Sequence, residues 1–159
     1  MWMAAAFSGF DHIDARVASL ALVEAFYDKL MAALGLTDKR YVMVRGDEWD
    51  YGDGSTPYNA VEYLEAPVVG KVAHFIGIIE EPATQLTMTR IAFRVGSIAD
   101  VERYARELPS YGALHVELSA DMRAYPAVFF EDPGGTKLEL CARPATYPQE
   151  RNILDMPKR

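Results

Sequence analysis

Three side chains offer this sequence its most usable chemistry: His12, Arg90 and Glu139. A histidine titrates near neutrality and can move a proton or bind a cation through a ring nitrogen. A glutamate can act as a base, a ligand or half of an ion pair, whereas an arginine stays charged and pairs with carboxylates and other oxyanions. Each sits in a short alternating segment. HIDARV sets His12, Asp14 and Arg16 on one face, RIAFRV sets Arg90, Ala92 and Arg94 on one face, and in KLELCA Glu139 alternates with Lys137 and Cys141. Arg16, Arg90, Arg94 and Lys137 therefore form a locally basic lining. It suits an anionic or polar ligand, or it is answered by Asp14, Glu139 and other nearby carboxylates. Tyr125 follows the polar run Asp121–Ala124 and is a further candidate. His115 begins a short strand and reads as surface, His74 falls on the parity opposite Gly77, and nothing beside Cys141 suggests an activated thiolate.

The elements that position these residues come from a duplication. His12–Leu30 overlays Arg90–Leu108 at a constant offset of 78 without a gap, and eight of nineteen positions are identical. Chance would give about one or two, because common residue types each make up roughly 5–10% of a chain. In both copies an alternating strand leads to a serine, Ser19 or Ser97, placed as a helix N-cap. Leu20, Val23, Tyr27, Leu30 and Leu34 then recur at helical spacing, as do Ile98, Val101, Tyr104 and Leu108, and Gly35 and Gly112 stand where a left-handed cap ends a helix. Three strand-like runs follow each helix: 40–45, 60–65 and 71–80, then 114–118, 127–131 and 137–142. Asp132-Pro133-Gly134-Gly135 is a turn signal between the last two.

The copies differ at 46–59, GDEWDYGDGSTPYN, which reads as a long loop without a counterpart in the second copy. Its Trp49, Tyr51 and Tyr58 suit a lid or an interface, or else pack locally. The acidic run 50–54 lacks the roughly twelve-residue ligand spacing of a calcium loop.

FDHIDARVASLALVEAFYDKLMAALGL, AHFIGI, TRIAFRVGSIADVERYARELPSYGA and YPAVFFEDPGGTKLEL together resemble the vicinal oxygen chelate superfamily, which holds glyoxalase, bleomycin-resistance and extradiol-dioxygenase proteins, over about residues 10–144. The resemblance implies an α+β fold of two βαβββ modules forming a curved, partly open mixed sheet around a cleft. It also implies a small-molecule ligand, a frequent homodimer and, in the enzymes, a divalent metal held from the first and last strands of the modules. His12 and Glu139 match ligand positions. Arg90 stands where a ligand histidine is usual, and aligning 79–82 with 141–144 sets Gly77 opposite Glu139. An arginine has no lone pair for a cation and could instead pair with Glu139.

The expected protein is a single glyoxalase-like domain, with modules at 8–82 and 87–144 and a tail at 145–159. Its ligand-binding residues would be His12, Arg90, Glu139, Arg16, Arg94, Trp49 and Tyr125, without a favoured cofactor. If a metal is present, His12 and Glu139 bind it, and the alternative is a metal-dependent lyase, isomerase or dioxygenase. The net charge of −7 disfavours nucleic acid and anionic membrane as partners, and no apolar run reaches the roughly 20 residues of a membrane span. A single cysteine fits a reducing, cytoplasmic setting.

Overall fold

In the computed structural model, which describes residues 9–143, the alternation in HIDARV buries Ala15 and Val17 and leaves His12, Asp14 and Arg16 exposed. The elements run β1 (His12–Val17), α1 (Leu20–Leu34), β2 (Asp38–Arg45), β3 (Glu48–Gly52), β4 (Ala60–Leu64), β5 (Phe75–Glu80), β6 (Arg90–Val95), α2 (Ile98–Tyr111), β7 (Leu114–Leu118), β8 (Ala127–Glu131) and β9 (Lys137–Ala142). They build two mixed sheets, one of five strands in the order β1-β5-β4-β2-β3 and one of four in the order β6-β9-β8-β7. The pairs β1·β5 and β6·β9 are parallel and the others antiparallel. The fold is α+β, and neither sheet closes into a barrel. The tail at 145–159 lies outside the described residues.

Register makes the duplication visible in three dimensions. Asp14, Gly77 and Glu62 form one cross-strand row in the first sheet, and Ala92, Glu139 and Phe129 form the matching row in the second. Gly77 therefore occupies the position of Glu139, as the alignment of the two copies expects.

Three local readings need correction. The stretch at 46–59 is not a free loop: Glu48–Gly52 pairs with Tyr41–Arg45 as β3, and Trp49 packs with Val44 on Val42, Ala60 and Ile79. Here the alternation of Trp49 and Tyr51 about Asp50 outweighs the acidic, glycine-containing composition. The strand expected at 71–80 begins only at Phe75, because the Glu65 carboxylate takes the backbone N–H of His74 and Lys71 N–H turns back to Val68 O. Ser97 caps α2 by accepting from Asp100 N–H, but Ser19 makes no such bond; the first N–H of α1, on Leu20, donates to Glu80 Oε2 instead. Gly35 and Gly112 close the two helices at φ 87° and 100°, in the left-handed region that glycine adopts without strain.

One core spans both modules. Val23, Phe26, Tyr27 and Leu30 of α1 join Ile76 and Ile78 of the first sheet, Phe130, Leu138 and Leu140 of the second, and Val101, Tyr104 and Leu108 of α2. The Asp132 carboxylate, fully buried, pins the modules together. It accepts from Tyr27 Oη at 2.9 Å and from the backbone N–H groups of Gly134 at 2.8 Å and Thr136 at 2.9 Å. Burial and the adjacent carboxylate push the Tyr27 phenol well above its ordinary value, which keeps it a donor.

Hydrogen bonds to a buried charge contribute about 1.5–3 kcal/mol each. Asp132→Ala is expected to cost about 3 kcal/mol or more in urea unfolding, and Tyr27→Phe about half as much. A loss under about 0.5 kcal/mol for Asp132→Ala would show that the turn does not hold the modules together.

Candidate functional site

The faces opposite the shared core carry the reactive side chains. On the first sheet this face holds His12, Asp14 and Arg16 of β1, Phe75, Gly77 and Ile79 of β5, Glu62 of β4, and Trp49 and Tyr51 of β3. The His12 ring lies flat on Phe75, with centroids 4.5 Å apart and planes inclined by 8°. Its Nδ1 is 2.7 Å from Asp11 Oδ2, and its Nε2 is 3.8 Å from Asp14 Oδ2. The hydrogen bond to Asp11 raises the imidazole above its ordinary value, with partial burial opposing and the Asp14, Asp11 and Glu62 charges assisting.

Beside it, the absent side chain of Gly77 leaves room that Asp14 takes. A Cβ there would stand 2.5 Å from Asp14 Oδ1. Glu62 is buried and accepts from Tyr51 Oη at 3.0 Å; burial first, then Glu62, raises that phenol. Glu62 escapes a motif-based reading. The available signal was a lone carboxylate in AVEYL, a strand buried along its whole length.

On the second sheet the equivalent face centres on Glu139, 2% exposed in the middle of the sheet. Tyr125 Oη donates to Glu139 Oε1, and Arg90 Nη1 stands 3.8 Å from Oε2. The Arg90 guanidinium lies over the Phe129 ring at 4.7 Å. Phe129 stacks on Tyr125 at 6.4 Å with planes inclined by 25°, and Arg143 covers Tyr125 at 5.6 Å. The two stacked rings thus lie between two guanidinium groups, and each cation–ring contact is favourable by the ring quadrupole. Burial and the Glu139 hydrogen bond push the Tyr125 phenol up to about 12, so it remains a donor at neutral pH. Cys141 shares this face but is buried, and burial raises its thiol, the opposite of an activated nucleophile.

The sequence candidates thus separate into groups. Arg90, Glu139 and Tyr125 form one cluster, whereas His12 has no hydrogen bond or ion pair to any of them among the described residues. Trp49 packs locally at the far edge of the first sheet. The carboxylate partners expected for Arg16 and Arg94 are not realised, since neither guanidinium makes an ion pair among the described residues; Lys137 bonds Glu131 at 2.9 Å. His115 is exposed, with φ 52°, and its Nε2 is 3.8 Å from Glu131.

The family model described as Glyoxalase/Bleomycin resistance protein/Dioxygenase superfamily matches residues 9–140. The chain belongs to this superfamily. Solved structures agree on the fold of this glyoxalase-superfamily chain. A glyoxalase/bleomycin resistance protein from Albidiferax ferrireducens T118 aligns at TM-score 0.55 and 21% identity, over 85% of this chain and 98% of that one. The fosfomycin resistance protein FosX from Mesorhizobium loti aligns at 0.52 and 15%, over 89% and 97%. FosX from Listeria monocytogenes, solved with Mn(II) and a sulfate ion, aligns at 0.54 and 17%, over 88% and 94%. No match is found among curated protein sequences.

The divalent ion that the superfamily implies can be tested against the donors present. Of the four aligned positions, Gly77 has no side chain, and its space is occupied by Asp14. Arg90 brings a positive charge and no lone pair. Glu139 is already engaged by Arg90 and Tyr125, and His12 is held by Asp11 and Phe75. Among the described residues no three His, Cys, Asp or Glu side chains converge as a metal site. The residues present do not fit the metal.

The raised His12 value can be checked by following its ring protons with NMR against pH. The imidazole should titrate above the ordinary 6.5, and Asp11→Asn should lower its midpoint. Because the folded value is raised, the contribution of His12 to stability is complete below the unfolded value and fades as pH rises through the folded one. A midpoint unmoved by Asp11→Asn would remove Asp11 as the cause.

Proposed function

We propose that this glyoxalase-superfamily protein binds a small organic molecule bearing an anionic group on the faces built around Arg90, Glu139 and His12, without a catalytic metal. One observation carries the reading. A guanidinium stands where the superfamily resemblance implies a metal ligand, and its charge lies 3.8 Å from Glu139, the buried last-strand carboxylate whose counterpart in the first module is Gly77. A guanidinium held by a buried carboxylate, over a ring, is preorganised to receive a carboxylate, phosphate or phosphonate. Arg94, on the same face and without an ion-pair partner among the described residues, supports the same ligand class.

The two faces lie on the far sides of a common core, so a second copy that sets the first-sheet face of one chain against the second-sheet face of the other would enclose a ligand between them. Asp14 and Glu62 on one face complement Arg90 and Arg94 on the other, which supports a homodimer. The lone, buried Cys141 suits a reducing compartment such as the cytoplasm. Among the described residues no helix is long and apolar enough to cross a membrane.

The deciding experiment is metal content by plasma mass spectrometry on untagged protein, before and after incubation with Zn²⁺, Ni²⁺, Mn²⁺ and Fe²⁺. The expected value is well below stoichiometric in every case. Near-stoichiometric metal that disappears in Glu139→Ala would overturn the reading and install a metal-dependent lyase, isomerase or dioxygenase in its place.

A further inference from the structure

The first strand of each module is a sheet edge. β1 pairs only with β5 and β6 only with β9, so between the two modules the chain leaves a seam that no strand closes. Along that seam lies a groove of about 390 Å³, bounded by β1, by the inter-module linker and by the starts of β6 and β9. Its size falls within the roughly 300–1,000 Å³ of small-molecule sites. It brings together Arg16 of β1, Thr84, Thr87 and Thr89 of the linker, and Thr136 beside Lys137. Ile13, Leu86 and Ile91 supply an apolar wall, and both Ile13 and Leu86 are largely exposed for aliphatic residues.

The charges around this groove are not equivalent. Lys137 is committed to Glu131 at 2.9 Å. Asp14 turns one carboxylate oxygen toward Gly77 and the other toward His12. Only the Arg16 guanidinium has no ion pair or hydrogen bond among the described residues, and it lines the groove together with Thr84, Thr87 and Thr89 and the aliphatic patch. An unengaged guanidinium and several hydroxyl donors make an oxyanion receptor, and the adjacent apolar wall selects an oxyanion that carries a compact hydrocarbon group. We infer that the seam groove is a second binding site, separate from the Arg90–Glu139 cluster, and that it takes a short branched aliphatic carboxylate, with Arg16 holding the carboxylate and Ile13, Leu86 and Ile91 covering the alkyl group.

The test is titration of the full chain, labelled on Ile and Leu methyls and observed by NMR, with acetate, isobutyrate and inorganic phosphate at constant ionic strength. Isobutyrate should shift the Ile13, Leu86 and Ile91 methyls saturably and bind about tenfold more tightly than acetate, since two further carbons are buried. Arg16→Gln and, separately, Thr87→Val in the exposed linker should each weaken isobutyrate, the first at least tenfold. Arg123→Gln, which removes the same charge from a distant turn, should leave the shifts unchanged. Non-saturable shifts, equal affinity for acetate and isobutyrate, tighter binding of phosphate than of isobutyrate, or an equal loss in Arg123→Gln would overturn the assignment. Because the methyls report on the groove alone, these outcomes are independent of whether metal is found at Glu139.

Discussion

A carboxylate buried in the middle of a sheet has to be answered, and the second module is arranged around that requirement. Taking an ionised side chain out of water costs several kcal/mol unless charge and hydrogen bonds replace the solvent. Glu139 receives both: a phenol from Tyr125 on one oxygen and the Arg90 guanidinium beside the other. From this follow the position of Arg90 over Phe129, the stacking of Phe129 on Tyr125, and the raised phenol that keeps Tyr125 a donor.

The first module shows what the duplicated frame does without that carboxylate. At the matching position Gly77 offers no side chain, and Asp14 from the neighbouring strand leans into the vacated room. Two further groups then adjust: Glu62 takes the Tyr51 hydroxyl, and His12 settles between Phe75 and Asp11. Ancestral symmetry survives in the strand register and in the glycines that end the two helices, whereas the side chains on the two faces have diverged. One module sets Asp14, Glu62 and His12 around the empty position of Gly77, and the other sets Arg90 and Tyr125 around Glu139.

Much of the frame was legible because it rests on local rules. Alternation at His12–Val17 and Arg90–Val95, helical spacing from Leu20 to Leu34, and glycines at 35 and 112 act through backbone geometry and need no distant partner. The parity argument also extended to the site, because Arg90 and Glu139 lie on adjacent parallel strands and on the same face. Contacts that depend on three-dimensional packing were not legible. The acidic, glycine-containing composition of 46–59 concealed an edge strand whose stability comes from Trp49 on Val42, Ala60 and Ile79. The first free N–H of α1 is capped by Glu80, sixty residues further along, in place of the serine beside it. The exchange between Gly77 and Asp14 depends on a gap that no single strand reveals.

The most direct test of the account is the coupling between Arg90 and Glu139, measured as a double-mutant cycle in urea with Arg90→Gln, Glu139→Gln and the pair. Residues sharing one buried interaction couple by about 0.5–3 kcal/mol, and the partly buried pair here should fall near or above 1 kcal/mol. The double variant would then be destabilised by less than the sum of the single changes. Additivity within about 0.3 kcal/mol would contradict the claim that Arg90 is the partner Glu139 is built around.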